Sequence, residues 1–109
     1  MGINNSQVCQ FGTELSASFS GSAVLIGTLL HNPVQLIFDN QGTAPIAIYV
    51  NGTASSNLWR TFPAGEALVL DLRAAHGLAA NFTPALGTQF YGNGASGTFS
   101  ISYTYAQGS

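Results

Sequence analysis

Apolar and polar residues alternate along three segments in the middle of the chain: Val34–Asn40, Ile46–Val50 and Glu66–Leu72. A period of two sends successive side chains to opposite faces of a strand. Each segment therefore predicts a β-strand with one face in a core. Together they make the stretch from Val34 to Arg73 the centre of the predicted sheet structure.

The clearest alternation lies near the C-terminus, at Thr98–Tyr105. Its aromatic and aliphatic residues are expected on one face and its Ser and Thr residues on the other. Shorter apolar or alternating runs predict further strands at Val8–Phe11, Val24–Ile26, Leu58–Phe62 and Gly87–Tyr91, and Ser16–Ser22 alternates only weakly.

Turn residues separate these runs. Asn51-Gly52 is a strong hairpin signal because both residue types tolerate positive φ. Pro63–Gly65 is expected to turn, and Gly92–Gly97 to form a flexible turn. Gly27 predicts a bulge or a close approach within its strand. Residues Arg73–Leu86 fit either one helical turn or a loop.

About eight short strands with Gly, Pro and Asn turns, and no strong helix, indicate an all-β fold. We expect a single β-sandwich of jelly-roll or Greek-key type. A length of 109 residues suits one domain. Residues 1–15 are expected to form an N-terminal arm, and residues 16–109 the sandwich.

Charged residues make up only 6% of the chain, against about 25% in typical globular proteins. The bases are Arg60 and Arg73 and there is no lysine; the acids are Glu14, Asp39, Glu66 and Asp71. Phosphate neutralisation needs clustered cations, so nucleic acid is not expected as a partner. A polybasic membrane contact is not expected for the same reason.

So little charge favours a surface covered by other copies or by a partner, because a small free monomer usually carries more. The alternative is a neutral β-domain kept in solution by Ser, Thr and Asn. Cys9 is the only cysteine, which excludes a disulfide within the chain. A partly buried, unreactive thiol is the favoured interpretation of Cys9, and a cross-link between subunits is the alternative.

No motif for catalysis, metal binding or a cofactor stands out, and we expect the protein not to be an enzyme. A serine could be combined with His76 and Asp71, but no glycine pattern frames a nucleophile. The plausible metal donors form no recognised metal-binding spacing; they are His31, Asp39, Asn40, Asp71 and His76.

The candidate interface or ligand contacts are five side chains in or near the central strands: Trp59, Arg60, Arg73, Tyr49 and Tyr91. Trp59 fits a core position beside Phe62 better than a sugar-stacking position on a loop. Both arginines are expected to pair with Glu66, with Asp71 or with an acid of a neighbouring subunit.

Over Val34–Tyr105 the chain resembles small phage structural proteins, in the segments FDNQGTAPIAIYVNG, LWRTFPAGEALVLDLR and GTQFYGNGASGTFSISYTY. The resemblance implies a virion component: a capsid decoration or cement protein, a head fibre or a tail-associated module. It implies a homo-oligomer, with a trimer favoured, bound to a major capsid or tail protein. The alternative function is a lectin-like module for host attachment.

Overall fold

The computed structural model describes residues 9–72 and 84–106, which form nine β-strands and a short 3₁₀ helix at Ser55–Asn57. The strands are β1 (Cys9–Phe11), β2 (Leu15–Ser18), β3 (Val24–Thr28), β4 (Pro33–Asn40), β5 (Ile46–Val50), β6 (Leu58–Phe62), β7 (Ala67–Asp71), β8 (Gln89–Gly94) and β9 (Thr98–Ala106). The three central predicted strands and Thr98–Tyr105 are confirmed to within a residue at either end.

Two antiparallel sheets pack against each other. In the first, called the β4–β9 sheet, the order is β1, β9, β4, β7, and β2 also pairs with β9, next to the stretch paired with β1. In the second, called the β5–β8 sheet, the order is β3, β8, β5, β6. The prediction of an all-β sandwich is confirmed.

Strand pairing is nested, which defines the fold more closely. The innermost pair is β5 with β6, and around it lie β4 with β7, β3 with β8 and β2 with β9. A long antiparallel hairpin rolled into two sheets has this topology, so these eight strands form a jelly roll. Strand β1 is an addition that extends the β4–β9 sheet at the far end of β9.

The inner faces of both sheets meet in one apolar core. Its fully or nearly fully buried members are Phe19, Ile26, Leu29, Leu36, Phe38, Ile46, Ile48, Val50, Phe62, Leu70, Phe90, Phe99, Ile101 and Tyr103. Phe38 lies at its centre, with ring centroids 5.6 Å from Phe90, 5.8 Å from Phe62 and 6.5 Å from Phe99. Such pairs add to the burial energy and fix the spacing between the sheets.

A buried amide joins the two sheets at one end of the sandwich. Asn40 is fully buried, and its Nδ2 donates to the carbonyls of Ala44, Phe62 and Pro63 at 3.0–3.1 Å. Its Oδ1 accepts from the backbone N–H of Gly42 at 3.0 Å. One side chain therefore satisfies the backbone of two turns that would otherwise be buried without partners.

The expected turn at Gly92–Gly97 is wrong in its first half, because β8 continues through Gly94. Gly92 is buried where a Cβ would lie 2.6 Å from the ring of Phe19. The glycine allows this aromatic ring to pack on the strand backbone, so it marks close approach and not a turn.

Two other local predictions are confirmed. Asn51 has a φ of 61°, as the Asn-Gly signal requires. The β3–β8 register shifts between Leu25 and Gly27, which is the expected bulge. The segment Arg73–Leu86 lies outside the described residues as far as residue 83. The arm boundary at residue 15 stays a prediction; Cys9–Phe11 pairs with β9 of its own chain.

Candidate interaction surfaces on the two outer faces

A row of four large side chains crosses the outer face of the β5–β8 sheet. Leu25 of β3 is paired with Tyr91 of β8, Tyr91 with Tyr49 of β5, and Tyr49 with Leu58 of β6. The neighbours of Tyr49 and Tyr91 along the chain are buried in the core, so both rings point outward. Leu25 and Leu58, at the two ends of the row, are 45% and 43% exposed.

This surface, here named the neutral face, has no charged side chain among the described residues. The four strands carry one charge, Arg60, and its guanidinium lies over the ring of Phe62, with Cζ 4.4 Å from the ring centre. Around the row lie the small or uncharged polar residues Ala47, Thr28, Thr61, Gln89 and Asn93. The Tyr91 hydroxyl donates to Oε1 of Gln89 at 3.3 Å.

Sequence reasoning singled out Tyr49 and Tyr91, and the structure brings them together as direct neighbours. It missed Leu25 and Leu58. A signal was present for Leu25, because alternation with the buried Ile26 predicts that it faces outward. Leu58 gives no such signal, since the bulge in β6 interrupts the alternation that follows it.

Trp59 lies on the opposite side of the sheet from the two tyrosines. The β5–β6 register shifts between Ile48 and Tyr49, and the bulge turns Trp59 toward the core. Its ring centroid is 5.0 Å from that of Phe38 and 5.8 Å from that of Phe62. The predicted core role is confirmed, which leaves this half-buried ring unsuited to stack on a sugar.

Arg60 forms an ion pair with Glu66 within the chain, at 2.5 Å from Nη2 to Oε1. The pair joins β6 to the turn before β7, so it connects the edges of the two sheets. Both side chains are about one-third exposed, so the pair contributes modestly to stability. The predicted pairing with Glu66 is confirmed; Arg73, the other candidate arginine, lies outside the described residues.

The outer face of the β4–β9 sheet, here named the acidic face, differs in charge. Asp39 of β4 and Asp71 of β7 point outward on this face. The Glu14 carboxylate also lies on this face, where it accepts a hydrogen bond from Ser102 Oγ at 3.3 Å. Between these acids Ile37 and Val69 are paired across β4 and β7, 39% and 55% exposed. Asp39 also accepts from the side-chain Nε2 of Gln41 at 3.3 Å.

Strand β1 adds an exposed segment beside the acidic face. All three of its side chains are exposed, and Phe11 is 86% exposed. Phe11 lines a small pocket together with Gln35, Ile37, Ser102, Tyr103 and Thr104. The backbone of the strand pairs with β9.

The prediction of a partly buried thiol at Cys9 is wrong, because Cys9 is exposed. Its side chain stands on β1 opposite Ala106, the last residue of β9. The sequence pattern around Cys9 does not predict the exposure of its side chain, because burial depends on whether the second sheet extends over β1.

An aromatic cluster holds the base of β1. Gln10 Oε1 accepts from the Tyr105 hydroxyl at 3.0 Å, and the His31 ring stacks on Tyr105 with centroids 3.6 Å apart. His31 Nδ1 lies 3.4 Å from the Tyr103 hydroxyl. Gly12 packs flat on the Tyr103 ring, where a Cβ would fall 2.1 Å from Cζ. His31 is thus part of a packed cluster.

Within residues 9–72 and 84–106, no three His, Cys, Asp or Glu side chains converge as a metal site would require. The second predicted donor histidine, His76, lies outside these ranges. In the same residues no helix has the length and hydrophobicity to cross a membrane.

No family model matches the sequence, and no curated protein matches it. One solved structure with a similar fold carries the description "Bacillus endospore appendages form a novel family of disulfide-linked pili". It is 15% identical, with 97% of this chain and 96% of that chain covered, and the TM-score is 0.45. At this level the similarity supports no argument about function. It concerns a bacterial pilus and provides no evidence for a phage origin.

Proposed function

We propose that this protein is a non-enzymatic structural subunit that works by assembling with copies of itself at the surface of a larger particle. The observation that carries the proposal is the exposure of large apolar side chains on both outer faces and on β1, in a chain with 6% charge. A freely diffusing domain of this size usually covers such faces with charge.

The burial of exposed apolar side chains between subunits supplies the energy for assembly. Contiguous exposed apolar residues on a folded domain mark contact sites, and their removal from water stabilises a complex by about 25 cal/mol per Å². Two flat outer faces and an exposed strand on one small domain give several contacts per subunit. Several weak contacts per subunit favour an extended or closed assembly over an isolated pair.

The particle is proposed to be a virion, because of the resemblance over Val34–Tyr105, with a major capsid or tail protein as the second partner. The trimer that the resemblance implies stays a prediction.

The test is the mass of the purified protein by multi-angle light scattering, together with negative-stain electron microscopy. We expect a defined oligomer, ring or filament whose population grows with concentration. A monomer at every concentration would contradict the proposal. Mass spectrometry of purified virions then tests the location, and absence of the protein from them would overturn it.

Glycan binding is the second candidate function, and one observation favours it: Tyr49 and Tyr91 lie side by side on an uncharged face. Aromatic rings with nearby amides can stack on sugars. A glycan array checks this, with binding lost in Tyr91→Ala and kept in Trp59→Phe. Absence of binding on the array would remove the candidate.

A further inference from the structure

We propose that the neutral face binds the neutral face of a second copy about a two-fold axis. The inference rests on the proposed function, since it presumes self-assembly, and it names the contacting surface. Its starting point is the order of side chains across the sheet, which reads Leu25, Tyr91, Tyr49, Leu58.

The order of residue types in that row is the same in both directions: Leu-Tyr-Tyr-Leu. Consider a two-fold axis that lies in the contact plane, parallel to the strands, between β8 and β5. It places Leu25 opposite Leu58 of the partner subunit, and Tyr91 opposite Tyr49 of the partner subunit. An isologous interface requires one patch to be complementary to itself, and this row meets the requirement. Tyrosines at the centre suit such a contact, because aromatic residues are enriched in interface cores.

Charge selects this face over the other. In a two-fold contact the same patch of both copies meets. On the acidic face the carboxylates of Asp39 and Glu14 would then meet the same carboxylates of the partner subunit in a poorly solvated contact, which opposes binding. The neutral face presents no charge in its four strands apart from Arg60, which lies over Phe62. The neutral face can therefore contact the same face of a second copy without electrostatic repulsion.

The area of the contact limits the stability of the proposed dimer. Four strands about 4.8 Å apart and about five residues long at about 3.3 Å each give roughly 300 Å² of projected face. Counted on both copies with side-chain relief, that is roughly 700–1,000 Å² of accessible surface, below the 1,200–2,000 Å² of stable complexes. The pair should therefore dissociate on dilution and be reinforced by other contacts in the assembly.

A sugar is the less fitting occupant. The row ends in Leu25 and Leu58, whose exposed methyl groups offer no hydrogen bond to hydroxyls. They extend the apolar contact to both edges of the sheet, as a facing protein sheet would use it.

The first experiment compares Tyr49→Lys with Val69→Lys by sedimentation velocity from low micromolar to millimolar concentration. Both are outward positions on strands, one on each face, so they are matched in kind. We expect the weight-average sedimentation coefficient of the native protein to rise with concentration. Tyr49→Lys should weaken the association at least about tenfold, because two cations enter the contact, while Val69→Lys should associate like the native protein. Circular dichroism melts identify any variant that fails to fold.

The second experiment traps the geometry in a Cys9→Ser background. Leu25 and Leu58 lie three strand spacings apart in one chain, about 14 Å, too far for an internal disulfide. We expect Leu25→Cys combined with Leu58→Cys to give a covalent dimer on mild oxidation, and Leu25→Cys alone to give little. Equal cross-linking by the single variant would overturn the proposed axis.

Association that persists in Tyr49→Lys would overturn the neutral-face contact and leave the proposed function standing. A native protein that stays monomeric throughout would overturn both. Glycan binding through Tyr91 without self-association would also overturn the contact.

Discussion

The two outer faces of this sandwich are built on the same strand pattern and differ in what the outward positions carry. On the acidic face Ile37 and Val69 lie among three carboxylates, whereas on the neutral face Leu25, Tyr91, Tyr49 and Leu58 lie among amides and hydroxyls. Carboxylates keep an exposed apolar pair from meeting a copy of itself. Their absence leaves the neutral face free to do so. The difference suggests that the two faces have different partners.

Truncating one residue of the shared core tests whether the two sheets unfold as one cooperative unit. Phe38→Ala should lower the free energy of unfolding by about 3–5 kcal/mol, since the ring contacts Phe99 of its own sheet and three aromatic residues of the other sheet. Urea denaturation followed by tryptophan fluorescence and circular dichroism should show one shared transition. Two separate transitions would mean that the faces unfold independently.

The amide that joins the sheets should have the next largest effect. Asn40→Leu keeps the branching and number of heavy side-chain atoms but leaves three carbonyls and the Gly42 N–H without their partner, at a cost of about 3 kcal/mol. Thr43→Leu, at an exposed position between β4 and β5, is the control for stability. A melting temperature equal in the two variants would contradict the assigned role of Asn40.

A substitution at the base of β1 should disturb the acidic face alone. Gly12→Ala places a methyl group inside the Tyr103 ring, and we expect a loss of about 1–3 kcal/mol. Hydrogen exchange should quicken in β1 and at Thr104–Ala106 and stay unchanged in β5 and β8. Ser16→Ala, exposed on β2, serves as the control. Unchanged exchange in β1 would show that the ring yields easily.

The smallest effect is expected at the ion pair that connects the sheet edges. Arg60→Met should cost up to about 1 kcal/mol, because both partners are partly solvated, and the loss should shrink in high salt. Self-association through the neutral face should be unaffected. A loss well above that range would indicate that the stacking of Arg60 on Phe62 matters more than the ion pair.

Sequence reasoning reached the strands and their inner faces but only half of the row on the neutral face. Tyr49 and Tyr91 drew attention as aromatic residues in strands, and Leu25 and Leu58 did not. The reason is that the row joins residues as far apart as Leu25 and Tyr91, whose adjacency depends on strand order. Trp59 was predicted to be in the core from its neighbours, while the bulge that puts it there became visible only in the register of β5 with β6.

The sequence by itself determined which residues alternate, where Asn51-Gly52 turns the chain, and that the fold is a β-sandwich with almost no charge. A period of two is a local property of the backbone, so it can be read from consecutive residues. Only the tertiary structure decided which strands are neighbours, that Cys9 is exposed, and that one outer face is neutral and the other acidic. These depend on hydrogen bonds between residues distant along the chain, and alternation leaves both register and strand order open.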